Sequence, residues 1–139
     1  MRLKPTNGGV AAEQVYFSRN APNTMGGQVL LDGVLYGTNN EGLTAADFDT
    51  GETLWQETEG GPGAILYADG MLYVHYERRS RAGRGHARSL PPARTVHAAE
   101  PPAHPRGDRE MAWAYPVVAN GRLYIRDLGS LWCYDVAAE

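Results

Sequence analysis

Residues 26–61 read GGQVLLDGVLYGTNNEGLTAADFDTGETLWQETEGG, and their reading decides the fold. Two short apolar runs, 29–31 and 34–36, flank Asp32-Gly33. An Asp-Gly pair between alternating apolar residues predicts a two-residue hairpin, because a type I′ turn needs positive φ at both central positions. Asp49-Thr50-Gly51 suits a longer hairpin loop, a type I turn closed by glycine in the left-handed region. Asn39-Asn40-Glu41-Gly42 supplies the turn between the two hairpins. The stretch therefore predicts an antiparallel meander of four strands.

The same unit recurs along the chain. Asp32-Gly33-Val34-Leu35-Tyr36, Asp69-Gly70-Met71-Leu72-Tyr73 and Asn120-Gly121-Arg122-Leu123-Tyr124 are three copies of one turn followed by one strand. From Gly33 to Gly70 is 37 residues, which fits one four-stranded repeat, whereas Gly70 to Gly121 is 51, which is too long. A repeated small sheet cannot bury both faces by itself, so such units stack.

At this point the chain resembles the PQQ-like (quinoprotein-type) β-propeller repeat proteins. The resemblance rests on Ala45, Asp47, Thr50, Gly51 and Trp55, which match the family pattern A-x-D-x-x-T-G-x-x-x-W, and on the C-terminal stretches 113–127 and 131–136 with Trp132. It covers roughly residues 14–77 and 110–136, and it speaks to fold far more than to activity. What it implies is an all-β, partial β-propeller of two to three four-stranded antiparallel blades. Residues 14–77 would hold one complete and one interrupted blade, and 110–139 the last. The structural signature would be Gly33, Asp47, Thr50, Gly51, Trp55, Gly70, Gly121 and Trp132.

Independently of the family, Asp47 is placed to accept hydrogen bonds from the backbone of its own turn, and Gly51 to close that turn. Trp55 would cover a neighbouring sheet, where burying about 150–250 Å² of aromatic surface gains roughly 4–6 kcal/mol before entropy. A closed propeller takes at least four blades of about 40 residues. At 139 residues the chain is too short to close one, which reads as the C-terminal part of a longer propeller or as a partner that completes one.

Residues 1–13 are polar and glycine-rich and read as a flexible lead-in. Residues 14–18, Gln14-Val15-Tyr16-Phe17-Ser18, alternate like a short strand. In the family a stretch comparable to residues 23–27, with its paired glycines, lies near the central channel; a plain connection is the other reading. Beyond Tyr76 the pattern collapses. Residues 78–109 hold eight arginines, five prolines, no aromatic residue and only two acids, a balance of +6. The remainder carries five basic and fourteen acidic residues, −9, so the charges are sharply segregated. Three readings stand for this segment: a disordered basic insertion, an arm for phosphates or an acidic partner, and an out-of-frame translation. The arm lacks the aromatics that stack on bases, so no nucleic-acid role is expected. A one-base shift from Arg78 permits GEVVLVEATPEAYRLHGRFTPPSRP, which has the strand alternation that an interrupted blade needs.

The chemistry is sparse. The single cysteine, Cys133, lies in the apolar run 131–134 and reads as a small buried hydrophobe. Asp47-Phe48-Asp49-Thr50-Gly51 opens like a calcium loop but lacks its remaining spacing and its bidentate glutamate, so a turn is expected. Glu41, Asp47 and Asp49 read as solvated or turn residues. His75, His86, His97 and His104 show no ligand spacing. No run approaches the ~20 apolar residues of a membrane span, and the sequence starts without the apolar core of a signal peptide. The family resemblance implies an exported protein and, in its dehydrogenase members, a calcium-held quinone (PQQ) with a catalytic aspartate and a vicinal cysteine pair. No such pair is present. The expectation is a non-catalytic scaffold whose partner is a protein or the missing blades; the alternative is a piece of a PQQ-dependent alcohol dehydrogenase whose cofactor residues lie elsewhere.

Overall fold

The computed structural model describes residues 1–58, 60–76, 80–83, 94–96 and 114–137. These residues form an all-β structure of four small antiparallel sheets, without a helix. The first sheet holds β3 (Gln28–Leu31), β4 (Val34–Thr38), β5 (Leu43–Asp47) and β6 (Thr53–Gln56) as a simple meander. The second holds β7 (Gly63–Ala68), β8 (Met71–Tyr76), β9 (Ser80–Gly83) and β10 (Arg94–Val96), also in chain order. The third has three strands: β11 (Val117–Ala119), β12 (Arg122–Asp127) and β13 (Ser130–Asp135). A separate hairpin joins β1 (Arg2–Thr6) to β2 (Gly9–Glu13).

The turns behave as their residues dictate. Asp32-Gly33, Asp69-Gly70 and Asn120-Gly121 all have positive φ at both positions, between 48° and 77°. Asp and Asn tolerate that region because a short polar side chain can bond locally, and glycine has no Cβ to clash. Each turn fixes the register of its hairpin, so the strands that follow are superposable in pattern. In β4, β8 and β12 alternate residues then point to opposite faces.

Two apolar cores result, and the second sheet belongs to both. Val34, Tyr36, Leu43 and Ala45 of the first sheet pack with Ile65, Leu72, Val74 and Tyr76 of the second. On the opposite face Tyr73, flanked by Leu66, Ala68 and Met71, packs with Leu123 and Ile125 of the third sheet, with Trp132 and Tyr134 alongside. Five consecutive residues of β8, from Leu72 to Tyr76, are therefore buried. The three sheets stack face to face in chain order. Among the described residues no sheet closes on itself as a barrel.

Within the first sheet Tyr36, Ala45 and Trp55 sit opposite one another on β4, β5 and β6. Ala45 is fully buried between them, and the two rings meet over it at 6.3 Å and 54°. This tilted arrangement is one that aromatic pairs favour. A β-bulge sets Ala45 opposite Trp55 but Ala46 opposite Thr53, leaving Leu54 as the extra, exposed residue. The bulge is the reason three residues separate Gly51 from Trp55.

Three expectations are corrected. Residues 2–13 are a paired hairpin rather than a flexible lead-in, although every residue of both strands is exposed. Residues 14–18 form no strand; the segment crosses the outer side of the first sheet, with Tyr16 against Gly51 and Pro22 against Gly37. Its alternation records Tyr16 turned inward while Val15 and Phe17 face solvent. The basic segment is not wholly an unstructured insertion, since β9 pairs with β8 and β10 with β9 to make the second sheet four-stranded. The rest of 78–109, with His86, His97 and His104, lies outside the described residues.

Because Leu72 is fully buried between two sheets, Leu72→Ala is expected to lower unfolding free energy by about 2–5 kcal/mol. Leu54→Ala, at the exposed bulge, should change it by less than about 0.5 kcal/mol. Urea denaturation of both variants checks the contrast; equal effects would contradict the two-faced burial of β8.

Candidate functional site

The stack has two ends of different character. One carries the three Asp-Gly or Asn-Gly turns and the 47–52 loop. The other carries residues 23–27, 39–42, 57–58 and 60–62 and the approach to β11.

At the first end Asp47 organises its loop. Its Oδ1 accepts hydrogen bonds from the backbone N–H of Asp49 (3.0 Å) and Thr50 (2.8 Å) and from the Thr50 hydroxyl (2.9 Å). The Gly51 N–H donates to the Asp47 carbonyl at 2.8 Å, and Gly51 adopts φ 73°. The Thr50 N–H and hydroxyl, followed by the Asp49 N–H, hold the Asp47 carboxyl below its ordinary pKa of 3.8. The Tyr36 and Tyr73 hydroxyls are pushed up, first by burial and then by the negative charge of Asp32 and Asp69 at the start of their own turns.

At the second end residues 23–27 bridge the first two sheets and the segment that leads into the third. The Asn23 and Thr24 N–H groups donate to the Thr38 carbonyl at the end of β4 (3.1 and 3.2 Å). The Thr24 hydroxyl bonds to that carbonyl and to the Thr38 hydroxyl. Thr38 is fully buried, and its Oγ1 both donates to the Gly63 carbonyl (2.7 Å) and accepts from the Gly63 N–H (3.1 Å) of β7. The Ile65 N–H donates to the Gly26 carbonyl at 3.0 Å. A Cβ on Gly26 would stand 1.7 Å from the Gly63 carbonyl oxygen, so only glycine permits this approach. The Tyr115 hydroxyl, leading into the third sheet, donates to the Met25 carbonyl at 3.0 Å. Met25 and Tyr115 are nonetheless 67% and 52% exposed, a small apolar patch held on a polar clasp.

Beside the clasp the Gly61 N–H donates to the Glu41 carbonyl, the Tyr76 hydroxyl donates to Glu57 Oε2 at 3.0 Å, and Gln56 bonds the Glu41 carboxylate. His75, buried in β8, has its Nδ1 3.1 Å from the Ala114 carbonyl and so ties the second sheet to the segment that leads into the third.

The signature residues are thus distributed rather than gathered. Gly33, Gly70 and Gly121 are turn residues; Asp47, Thr50 and Gly51 build one loop; Trp55 and Trp132 are half-buried members of the first and second cores. Glu41 and Asp49 are exposed, and Asp49 serves its turn through its backbone. Cys133, expected to be buried, is exposed, because β13 is an edge strand among the described residues and alternation turns Leu131, Cys133 and Asp135 to solvent while Trp132 and Tyr134 face the core. Thr38 and Thr24 were not singled out in the sequence; the signal was present as Gly26-Gly27 and Gly37-Thr38, small residues at both sides of one junction.

A calcium-held quinone needs convergent oxygen donors. Among the described residues no three His, Cys, Asp or Glu side chains converge, and Asp47 Oδ1 is already committed to three donors of its own loop. The described residues do not fit that group. No helix among them is long and apolar enough to cross a membrane. No family model matches the chain, and no curated protein matches it.

Two outcomes follow. Thr38→Val keeps the shape but strands the buried Gly63 N–H and carbonyl, so thermal or urea unfolding should show a loss of about 1–3 kcal/mol. For Asp47 the folded-state pKa lies below the unfolded value of 3.8, so its contribution is present above pH 3.8 and disappears as pH falls through the folded value. Asp47→Asn should therefore differ from wild type at pH 5–7, with the gap in melting temperature narrowing below about pH 3.8. A gap constant down to pH 2 would contradict the role given to the charge.

Proposed function

We propose that this chain is a non-catalytic scaffold of PQQ-like propeller repeats, its stacked sheets serving as blades, which holds a protein partner at the clasp end around residues 23–27. The observation that carries the reading is the periodicity of the unit. Leu72 and Leu123, three residues after the first turn residue, face the preceding sheet; Tyr36 and Tyr73, four residues after it, face the following one. A translational repeat of this kind is how quasi-one-dimensional folds grow, and it displays loops of successive units along one end. Met25 and Tyr115 offer exposed apolar contact there on backbone fixed by the Thr38 and Gly63 hydrogen bonds, so little entropy is lost when a partner binds.

Placing a photoreactive phenylalanine analogue at Met25, and separately at Asp49 on the opposite end, tests the assignment in the source cells. A discrete protein adduct at position 25 and none at 49 is expected; equal labelling at both would overturn the clasp as the binding end. The catalytic alternative is tested by adding the quinone, calcium and an alcohol to the purified chain with an artificial electron acceptor. No dye reduction above the protein-free control is expected, and turnover would replace the scaffold reading.

A further inference from the structure

We infer that two copies of this chain pair through the free edge of β13, antiparallel about a two-fold axis at Cys133, to make one continuous sheet of six strands. This goes beyond the scaffold reading and does not depend on it.

Unpaired strand edges attract other strands, and proteins usually blunt them. The other edges of the three stacked sheets are blunted. β3 and β6 are four residues long, and β6 is bulged at Leu54. β10 and β11 have three residues each, and Pro116 precedes β11. β7 is six residues long, but the loop covers it, Gly26 accepting from the outward Ile65 N–H. β13 has six residues in unbroken register with β12, without proline, lysine or bulge, and no described strand lies beyond it.

The register fixes which backbone groups are free. The two-residue turn at 128–129 makes Asp127 and Ser130 a hydrogen-bonded pair, so Ile125–Trp132 and Leu123–Tyr134 are hydrogen-bonded pairs too. The N–H and C=O groups of Leu131, Cys133 and Asp135 consequently point away from β12. Leu131 is 66% exposed, and Cys133 and Asp135 are exposed on the same face. Around a two-fold at Cys133 these groups pair as 131 with 135, 133 with 133 and 135 with 131, giving about six inter-chain hydrogen bonds.

Charge selects the second copy and its direction. Leu131 lies opposite Arg126 and Asp135 opposite Arg122 within the chain. Antiparallel pairing sets each Asp135 in a row between Arg122 of its own chain and Arg126 of the other, across Leu131. Parallel pairing would set Asp135 beside Asp135. Exposed charges add little affinity but discriminate direction.

Sedimentation velocity of the full chain in reductant tests the pairing: the mass should rise to twice the monomer's with concentration. Cys133→Pro removes one outward N–H while sparing the β12 ladder, as proline on an edge can. This variant should stay monomeric with an unchanged strand spectrum by circular dichroism. A wild type monomeric at every concentration, or a dimer that persists in a folded Cys133→Pro, overturns the proposal. Should that variant not fold, cross-linking decides. Diamide, taking up the two electrons and two protons released by two thiols, should link wild type through Cys133. In a Cys133→Ser background it should link Leu131→Cys only when mixed with Asp135→Cys. Disulfides between two copies of Leu131→Cys alone would show another register and overturn it.

Discussion

Everything in this structure depends on a sheet that is apolar on both sides. In β8 the residues Leu72, Val74 and Tyr76 face one neighbour, while Tyr73 and His75 face the other. A strand buried on both faces reads as a continuous apolar run, and it has no stable state as a lone sheet in water. The second sheet therefore obliges the first and third to lie against it, and the chain order of the sheets becomes their spatial order. No strand exchange is needed to explain the stack; each sheet is a local meander, and apolar side chains together with the 23–27 clasp join one to the next. Folding of such an arrangement is dominated by contacts near in sequence within each sheet.

Side chains alone would leave the sheets free to slide, and the polar clasp removes that freedom. Thr38 is buried where two backbones approach, and it answers both the N–H and the carbonyl of Gly63 with one hydroxyl. A buried backbone group left without a partner costs on the order of 1–3 kcal/mol, so the hydroxyl fixes where β7 can begin relative to β4. Gly26 and Gly63 make the approach sterically allowed. Apolar burial thus sets which faces meet, and the threonine–glycine contact sets their alignment.

This division explains what the sequence disclosed. The three turns were legible because positive φ at two successive positions almost demands Asp-Gly or Asn-Gly, and the Asp47 loop because one carboxylate with a Thr and a Gly at fixed spacing satisfies its own backbone. Residues 7–8 join β1 to β2, but every residue of both strands is exposed, so composition pointed to a flexible segment instead. Residues 14–18 alternated like a strand because a segment lying over a sheet also turns every second side chain inward. The short strands β9 and β10 were hidden in an arginine- and proline-rich stretch; β9 pairs with β8 and β10 with β9, a pairing its own pattern does not announce. Exposure of Cys133 followed from sheet order, which residue type does not encode.

The stack changes character at its last sheet. Backward-facing positions of the repeated strand are alike, Leu72 and Val74 in β8 against Leu123 and Ile125 in β12, and all four are buried. The forward-facing positions diverge: Val34, Tyr36 and Thr38 in β4, then Met71, Tyr73 and His75 in β8, then Arg122, Tyr124 and Arg126 in β12. Two arginines replace residues that would otherwise be enclosed, and both are exposed. An uncompensated buried charge is far costlier than an exposed one, so a further sheet laid on this face would have to bring carboxylates with it. The face tolerates water, while along the β13 edge beside it the outward N–H and C=O groups meet no described strand. Growth of the third sheet is therefore favoured sideways, strand to strand, over growth by another layer.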